Sequence, residues 1–272
     1  MNLDQINFTP LEQIQKAWRL AFKQIFNTSK PLHIVLGVIG IIVTLGTILV
    51  PGIFIFILMA EIILLSVQVN KVKQRAWQQF AAVNKWPISD GDAYVVPPGL
   101  QNIGNSRRTS QVIAAQFSNI TCDLLTYEYT VGSGKSSHTY YFTIARIRLA
   151  KQFPHIILDS KKRLGVRNIP AGYENLALEG DFDKFFKLYE AKGEEVDVLS
   201  IITPDVMQTL LDNDQQQDIE IWGNCLYFIG ANDERVPAAM RNLLQSVQKL
   251  SSEIIQRANS LDYTPVSPQP AH

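Results

Sequence analysis

Four acids carry the clearest chemical potential in this sequence. Asp181 and Asp183 flank Phe182 in a DxD, with Glu179 just before them and Asp159 one loop upstream. Carboxylates at this spacing serve elsewhere as oxygen ligands for a divalent cation or as a general acid and base. A metal site would need a third ligand or a phosphate-binding group, and the stretch contains neither. Acids that open a helix or turn satisfy the same pattern through the positive end of the helix dipole. Asp159, Glu179, Asp181 and Asp183 are therefore a speculative acidic site. Neither His138 nor His155 has a serine or cysteine nucleophile motif beside it, and His33 and His272 lie at a hydrophobic edge and at the last position. No catalytic residue, metal ligand or cofactor is assigned.

Two other patterns suggest chemistry and lose it on spacing. GSGKSS, residues 132–137, resembles part of a phosphate-binding loop, but Tyr129 stands where the first glycine is needed. The run that follows, HTYYFTIARIRL, is strand-like, so no helix N-terminus is available for a phosphate. It reads as the tip of a hairpin. Cys122 and Cys225 each lie in a strand-like run without a neighbouring ligand, and they read as small buried hydrophobes.

The costliest single residue is Glu61. It is the only formally charged residue between positions 31 and 69, a run of 39 residues. One straight helix of that length would run about 58 Å, roughly twice a bilayer core. Pro51-Gly52 near its middle predicts a minimal turn. The expectation is a two-helix transmembrane hairpin, 31–50 and 53–69, with Glu61 near the midplane as a possible intramembrane polar site. Its polar neighbours by sequence are Thr44, Thr47 and Ser66.

Flanking charge orients that hairpin. Residues 1–85 hold 8 Lys/Arg against 3 Asp/Glu, and residues 86–272 hold 17 against 22. Lys16, Arg19, Lys23 and Lys30 precede the run, Lys71, Lys73 and Arg75 follow it, and the turn carries no charge. The positive-inside rule then puts both termini in the cytoplasm of an inner-membrane protein with two spans. The absence of a basic surplus on the later part argues against nucleic acid as a partner. The bilayer is the expected partner, together with a second copy or another membrane protein meeting the hairpin.

Ahead of the run, residues 1–30 predict an amphipathic interfacial helix. Thr9-Pro10-Leu11-Glu12 is a helix start with Thr9 as cap, and Leu11, Ile14, Trp18, Phe22 and Ile25 recur at helical spacing. Trp18, Lys16, Arg19 and Lys23 are its interfacial residues. Residues 70–86 continue the second span as a cytosolic helix, and 87–110, rich in Gly, Pro, Asn and Ser, read as a linker.

From 111 to 261 the pattern predicts a soluble α+β domain with a mainly antiparallel sheet. QVIAAQFSN, ITCDLLTYEYTV, HTYYFTIARIRLA and HIILDS read as strands, the middle two joined as a hairpin with one packed and one wet face. Residues 185–189 and 196–202 read as two further strands, Thr203 as the cap of a short helix, and DIEIWG with CLYFIG as a second hairpin across Gly223-Asn224. The stripe Met240, Leu243, Leu244, Val247, Leu250, Ile254 and Ala258 predicts a long C-terminal helix that covers the sheet. Arg146, Arg148, Lys151, Lys161, Lys162, Arg163 and Arg167 form a basic stretch that reads as a solvated strand face and loop. Residues 262–272 read as a disordered tail.

GSGK, FPHIILDS, LEGDFDKFFKLY and TPDVM together resemble a family of uncharacterised bacterial membrane-anchored proteins. The likeness covers most of 31–230 and is strongest over 153–228. It implies a short membrane hairpin before a cytosolic α+β domain, and it supplies no catalytic residue. Three functions follow in order of preference. The first is a non-enzymatic interaction, scaffold or sensory module at the membrane. The second is a membrane-associated enzyme using the four acids, and the third an accessory subunit of a transport or secretion complex using Glu61.

Overall fold

The structure is a computed structural model that describes residues 1–28, 51–91, 96–101, 103–109, 111–162, 168–178, 180–212, 217–231, 236–260 and 263. The chain divides into two compact units, Asn7–Val83 and Met1–Ile6 with Asn84–His272.

The first unit is helical. Asn7 Oδ1 accepts the Thr9 N–H at 3.0 Å, and the 3-10 turn over Thr9–Leu11 has Phe8 rather than Thr9 at its N-cap. Helices α1 (Glu12–Gln15), α2 (Ala17–Thr28) and α3 (Pro51–Val83) follow. Ala17 and Ala21, one turn apart, bury against Val69 and Val72, with Leu20 and Leu65 partly covered at the seam. Side chains this small let two helix backbones approach closely, which explains why the alanine face turns inward. Two large apolar residues of α2 stay outside: Trp18 is 57% and Phe22 54% exposed. On α3, Met59, Ile62, Ile63, Leu64 and Val67 are also exposed, while Phe80 is buried 5.8 Å from Phe8.

Among the described residues no helix is long and apolar enough to cross a membrane. The first expected span falls in 29–50, outside the described residues. Pro51 and Gly52, read as turn residues, are helical residues of α3, consistent with the tolerance of proline in a first helical turn. Ser66 Oγ donates to Ile62 O at 2.8 Å, so that hydroxyl is used within its own helix rather than on Glu61.

The second unit is α+β, with one eight-stranded sheet whose pairings are all antiparallel. Its strands are β1 (Ile88–Ser89), β2 (Asn105–Thr109), β3 (Val112–Phe117), β4 (Ile120–Val131), β5 (His138–Ser160), β6 (Tyr173–Leu176), β7 (Phe186–Ala191) and β8 (Gln217–Ala231). The order is β1-β3-β4-β5-β7-β6, with β2 on β4 and β8 on β5. The axis is β5, which absorbs both HTYYFTIARIRLA and HIILDS into one strand of 23 residues. Its first part pairs with β4 from Val131↔His138 to Asp123↔Arg146, and its last part pairs with β7. Along most of its length β8 lies beside it. The second hairpin expected at Gly223-Asn224 is therefore absent, and a register shift between Arg148 and Phe153 bends the pair instead.

Both faces of the sheet centre are covered. Residues Phe142 to Ile147 are buried without interruption, which corrects the expected wet face. On one side Val96, Leu100 and Ile103 pack onto Tyr127, Tyr129, Phe142, Ile144, Tyr227 and Ile229. The stretch 87–110 thus contributes core residues and two strands. On the other side the long C-terminal helix, α7 (Val236–Ser260), lies against β5 and β8. Its Met240, Leu243, Leu244, Val247, Leu250 and Ile254 are buried, as the stripe required.

Three short helices come before α7: α4 (Phe182–Phe185), α5 (Glu195–Ile201) and α6 (Pro204–Asp212). The segment read as a strand at 196–202 is α5, because Val198, Ile201 and Ile202 are buried at helical spacing while Val196 is exposed. Thr203 does not cap α6 through its side chain, since its buried hydroxyl has no hydrogen-bond partner.

Candidate functional site

Asp181 and Asp183 serve local structure. Asp181 is 69% exposed at its side chain and holds Lys184 Nζ at 2.6 Å. Asp183 Oδ1 accepts the Leu178 N–H at 3.3 Å, and its backbone oxygen accepts Lys161 Nζ. Asp159 is half-buried on β5 opposite Lys187, and Glu179 lies outside the described residues. No group of three His, Cys, Asp or Glu among the described residues is placed to hold a metal ion. Of the basic stretch, Arg163 and Arg167 lie outside the described residues. Arg146 is buried and holds Asp123 at 2.8 Å, so it is not a solvated charge. Lys162 lies over the Phe185 ring, 5.9 Å from its centroid.

The polar cluster that the fold does build joins His155, Tyr173 and Glu220. Ile157 pairs with Glu220 across β5 and β8, which puts His155 on the same face and diagonally adjacent. Tyr173 pairs with Ala191, whose small side chain leaves room for the rings to meet at 5.1 Å and 75°. His155 Nε2 lies 2.8 Å from Glu220 Oε1, and its Nδ1 lies 2.5 Å from the Tyr173 hydroxyl. The Gly99 N–H donates to the same Glu220 oxygen at 3.0 Å. Burial pushes the Tyr173 hydroxyl up to about 12, with Glu194 and then Glu220 adding to the effect. Tyrosine therefore keeps its proton at neutral pH, and each ring nitrogen of His155 faces one oxygen partner, Nδ1 the phenol and Nε2 the carboxyl.

This chain is a relay in geometry but closed in practice. Glu220 has a fully buried side chain and His155 is 11% exposed, so both ring nitrogens are spent inside the protein. Its evident role is to tie β5, β6, β8 and the turn at Pro98–Leu100 together. Neither Tyr173 nor Glu220 was singled out from sequence. Glu220 sits in an alternating run that reads as an outward residue, and Tyr173 lies in a loop-like stretch 18 residues from His155.

Beside the cluster, on the other face of the β6–β7 edge, Glu190 is buried with one carboxylate oxygen unpartnered. Burial raises its carboxyl above the usual range, with Glu195, Glu194 and Glu174 adding to the effect. Glu194 in turn accepts the Tyr263 hydroxyl at 2.8 Å, which docks one residue of the expected tail.

In the helical unit a cavity of about 340 Å³ opens between α2 and α3. Leu20 and Val72 form its apolar floor, and Lys23, Gln24, Arg75 and Gln79 line its exposed rim. Gln13 Nε2 donates to Gln79 Oε1 at 2.9 Å across one end. The predicted interfacial residues Lys16, Trp18, Arg19 and Lys23 are all exposed, and Lys23 is the one that reaches this cavity. Arg75, its partner in charge, was legible only as one of three cations after the apolar run.

No protein-family model matches the chain, and no curated protein matches it. Among solved structures, the chain is similar to the crystal structure of the mycobacterial trehalose monomycolate transport factor A, TtfA. That likeness has 10% sequence identity and a TM-score of 0.49, and covers 71% of this chain and 98% of that one.

Proposed function

We propose that this protein is a membrane-anchored module whose α+β domain works as a non-enzymatic interaction, scaffold or sensory unit at the inner face of the membrane. The observation that carries this reading is the apolar surface left uncovered on α2 and α3 of the first unit. Trp18 and Phe22 on α2 and the five residues from Met59 to Val67 on α3 expose large side chains. On α3 they continue the uncharged run of positions 31–60, of which 31–50 lies outside the described residues. Lys71, Lys73 and Arg75 begin within two turns of its end, the arrangement expected at a cytoplasmic headgroup layer. The closed hydrogen bonding of His155 and the engagement of Asp181 and Asp183 in local contacts favour interaction over catalysis. The family resemblance noted from the sequence is in keeping with this architecture.

Membrane fractionation of the full chain tests the anchor. Resistance to alkaline carbonate with release by detergent is expected, and release by carbonate alone would overturn it. Protease treatment of inverted and upright vesicles separates the orientations, since only inverted vesicles should expose the α+β domain.

A second reading is an accessory subunit of a transport or secretion complex. Glu61 favours it, because this carboxyl is exposed on α3 next to exposed Ile62, Ile63 and Leu64. Inside a bilayer such a group needs a polar partner from another copy or another protein. Glu61→Leu that leaves crosslinking to membrane partners unchanged would dispose of it.

A further inference from the structure

We infer that the cavity between α2 and α3 binds the phosphate of an anionic phospholipid headgroup. The proposal rests on the membrane-anchored reading and adds to it a ligand class and a site.

Charge selects the ligand's sign. The cavity is lined by Lys23 and Arg75, with the amides of Gln13 and Gln79 beside them and no carboxylate among its lining residues. Across the unit, residues 7–83, there are seven Lys/Arg and two Asp/Glu. A guanidinium offers a planar fork of donors that matches two phosphate oxygens, a lysine adds a point charge, and carboxamides donate without adding repulsion. The floor of Leu20 and Val72 gives the glycerol and first methylenes of a lipid an apolar rest, which a bare phosphate would not use.

Depth selects the source. Val67 is the last exposed large apolar residue before the cationic segment of α3, and Val72 and Arg75 follow five and eight positions later. At 1.5 Å per residue the cavity begins about 8 Å beyond the apolar surface and reaches about 12 Å. A headgroup layer occupies roughly 5–8 Å on each side of the hydrocarbon core, so the cavity opens at its outer limit. A long cationic side chain on α3, which leans toward the helix N-terminus and so toward the apolar surface, reaches back to the phosphates. Trp18 and Phe22, exposed on the same helix as Lys23, are residue types that sit at this boundary.

The test uses the full chain in a neutral detergent and titrates it with dihexanoyl phosphatidylglycerol, then with dihexanoyl phosphatidylcholine. Both short-chain lipids dissolve as monomers, so the titration does not depend on the protein being anchored. Binding of the phosphatidylglycerol is expected to weaken by about tenfold or more in Lys23→Gln/Arg75→Gln, in line with the loss of two charge-assisted contacts. Lys16→Gln/Arg19→Gln, which removes equal charge off the cavity, should change it by less than about twofold, within the modest effect of exposed charges. Lys23→Arg should retain the wild-type affinity. Equal losses in the two double variants would overturn the proposal in favour of diffuse attraction. Competition by glycerol phosphate as strong as that of the lipid would overturn it in favour of a soluble anion. Carbonate extraction of the same variants reports on the anchor separately, and it should not change.

Discussion

His155 Nε2 stands 2.8 Å from Oε1 of Glu220, a carboxylate with no exposed surface, and 65 positions separate the two in the chain. A buried carboxyl at that place is tolerable because the imidazole Nε2 and the Gly99 N–H both contact the same oxygen. Removing one partner should therefore cost more than the hydrogen bond itself. His155→Ala is expected to destabilise the α+β unit by about 2–3 kcal/mol, and Tyr173→Phe by about 1 kcal/mol. Urea denaturation with a double-mutant cycle checks both, and a coupling near zero would show that the three residues do not act as a unit.

Glu190 predicts a pH dependence of opposite sign to the usual acid. Its carboxyl is held above the ordinary 4.5 by burial and by Glu195, Glu194 and Glu174. The protonated form is thus favoured in the folded state. Whatever stability this gives is fully present below the unfolded value and is lost as pH rises through the folded one. Glu190→Gln should raise the melting temperature at pH 7–8 and change it little at pH 4. Equal gains at both pH values would contradict the assignment.

Gly104 has φ of +60°, and a Cβ there would overlap the backbone oxygen of Thr130 on β4. Neither the conformation nor the space suits any other residue, and a backbone atom cannot step aside as a flexible side chain can. Gly104→Ala should cost more than about 1 kcal/mol, the ordinary scale of glycine effects, measured by thermal unfolding. Gly172→Ala, with φ of +87° and nothing near its Cβ, should cost less and serves as the control.

The seam between α2 and α3 depends on small side chains. Ala21 is fully buried beside Val69 and Val72. Ala21→Leu is expected to cost about 1–3 kcal/mol through overpacking, read as a lower melting temperature of the full chain in detergent. Trp18→Ser should leave that temperature within a degree or two, since the ring is more than half exposed.

Much of the sheet was legible. The tip at GSGKSS sets the β4–β5 register, and from Val131↔His138 it follows that Asp123 faces Arg146, the observed ion pair. The stripe on α7 predicted its buried face for the same reason, because periodicity is a local property. Other elements misled for an equally physical reason. DIEIWG and CLYFIG alternate as two strands with a glycine between them, yet the bent length of β5 draws both into β8. Residues 195–201 carry β-branched and apolar types, but one side packs on neighbouring elements and helical spacing wins.

By itself the sequence determined the apolar run of 31–69 with its one charge at Glu61, its cationic flanks, the hairpin at 120–160 and the stripe of the last helix, all of them patterns written in consecutive residues. Only the tertiary structure decided that His155 meets Glu220 and Tyr173 rather than the DxD acids, and that Lys23 and Arg75 share one cavity. Those pairings join residues 18 to 65 positions apart, and their contact depends on which strands and helices come to lie side by side. Local pattern reports which face of an element is apolar, and only packing reports what that face meets.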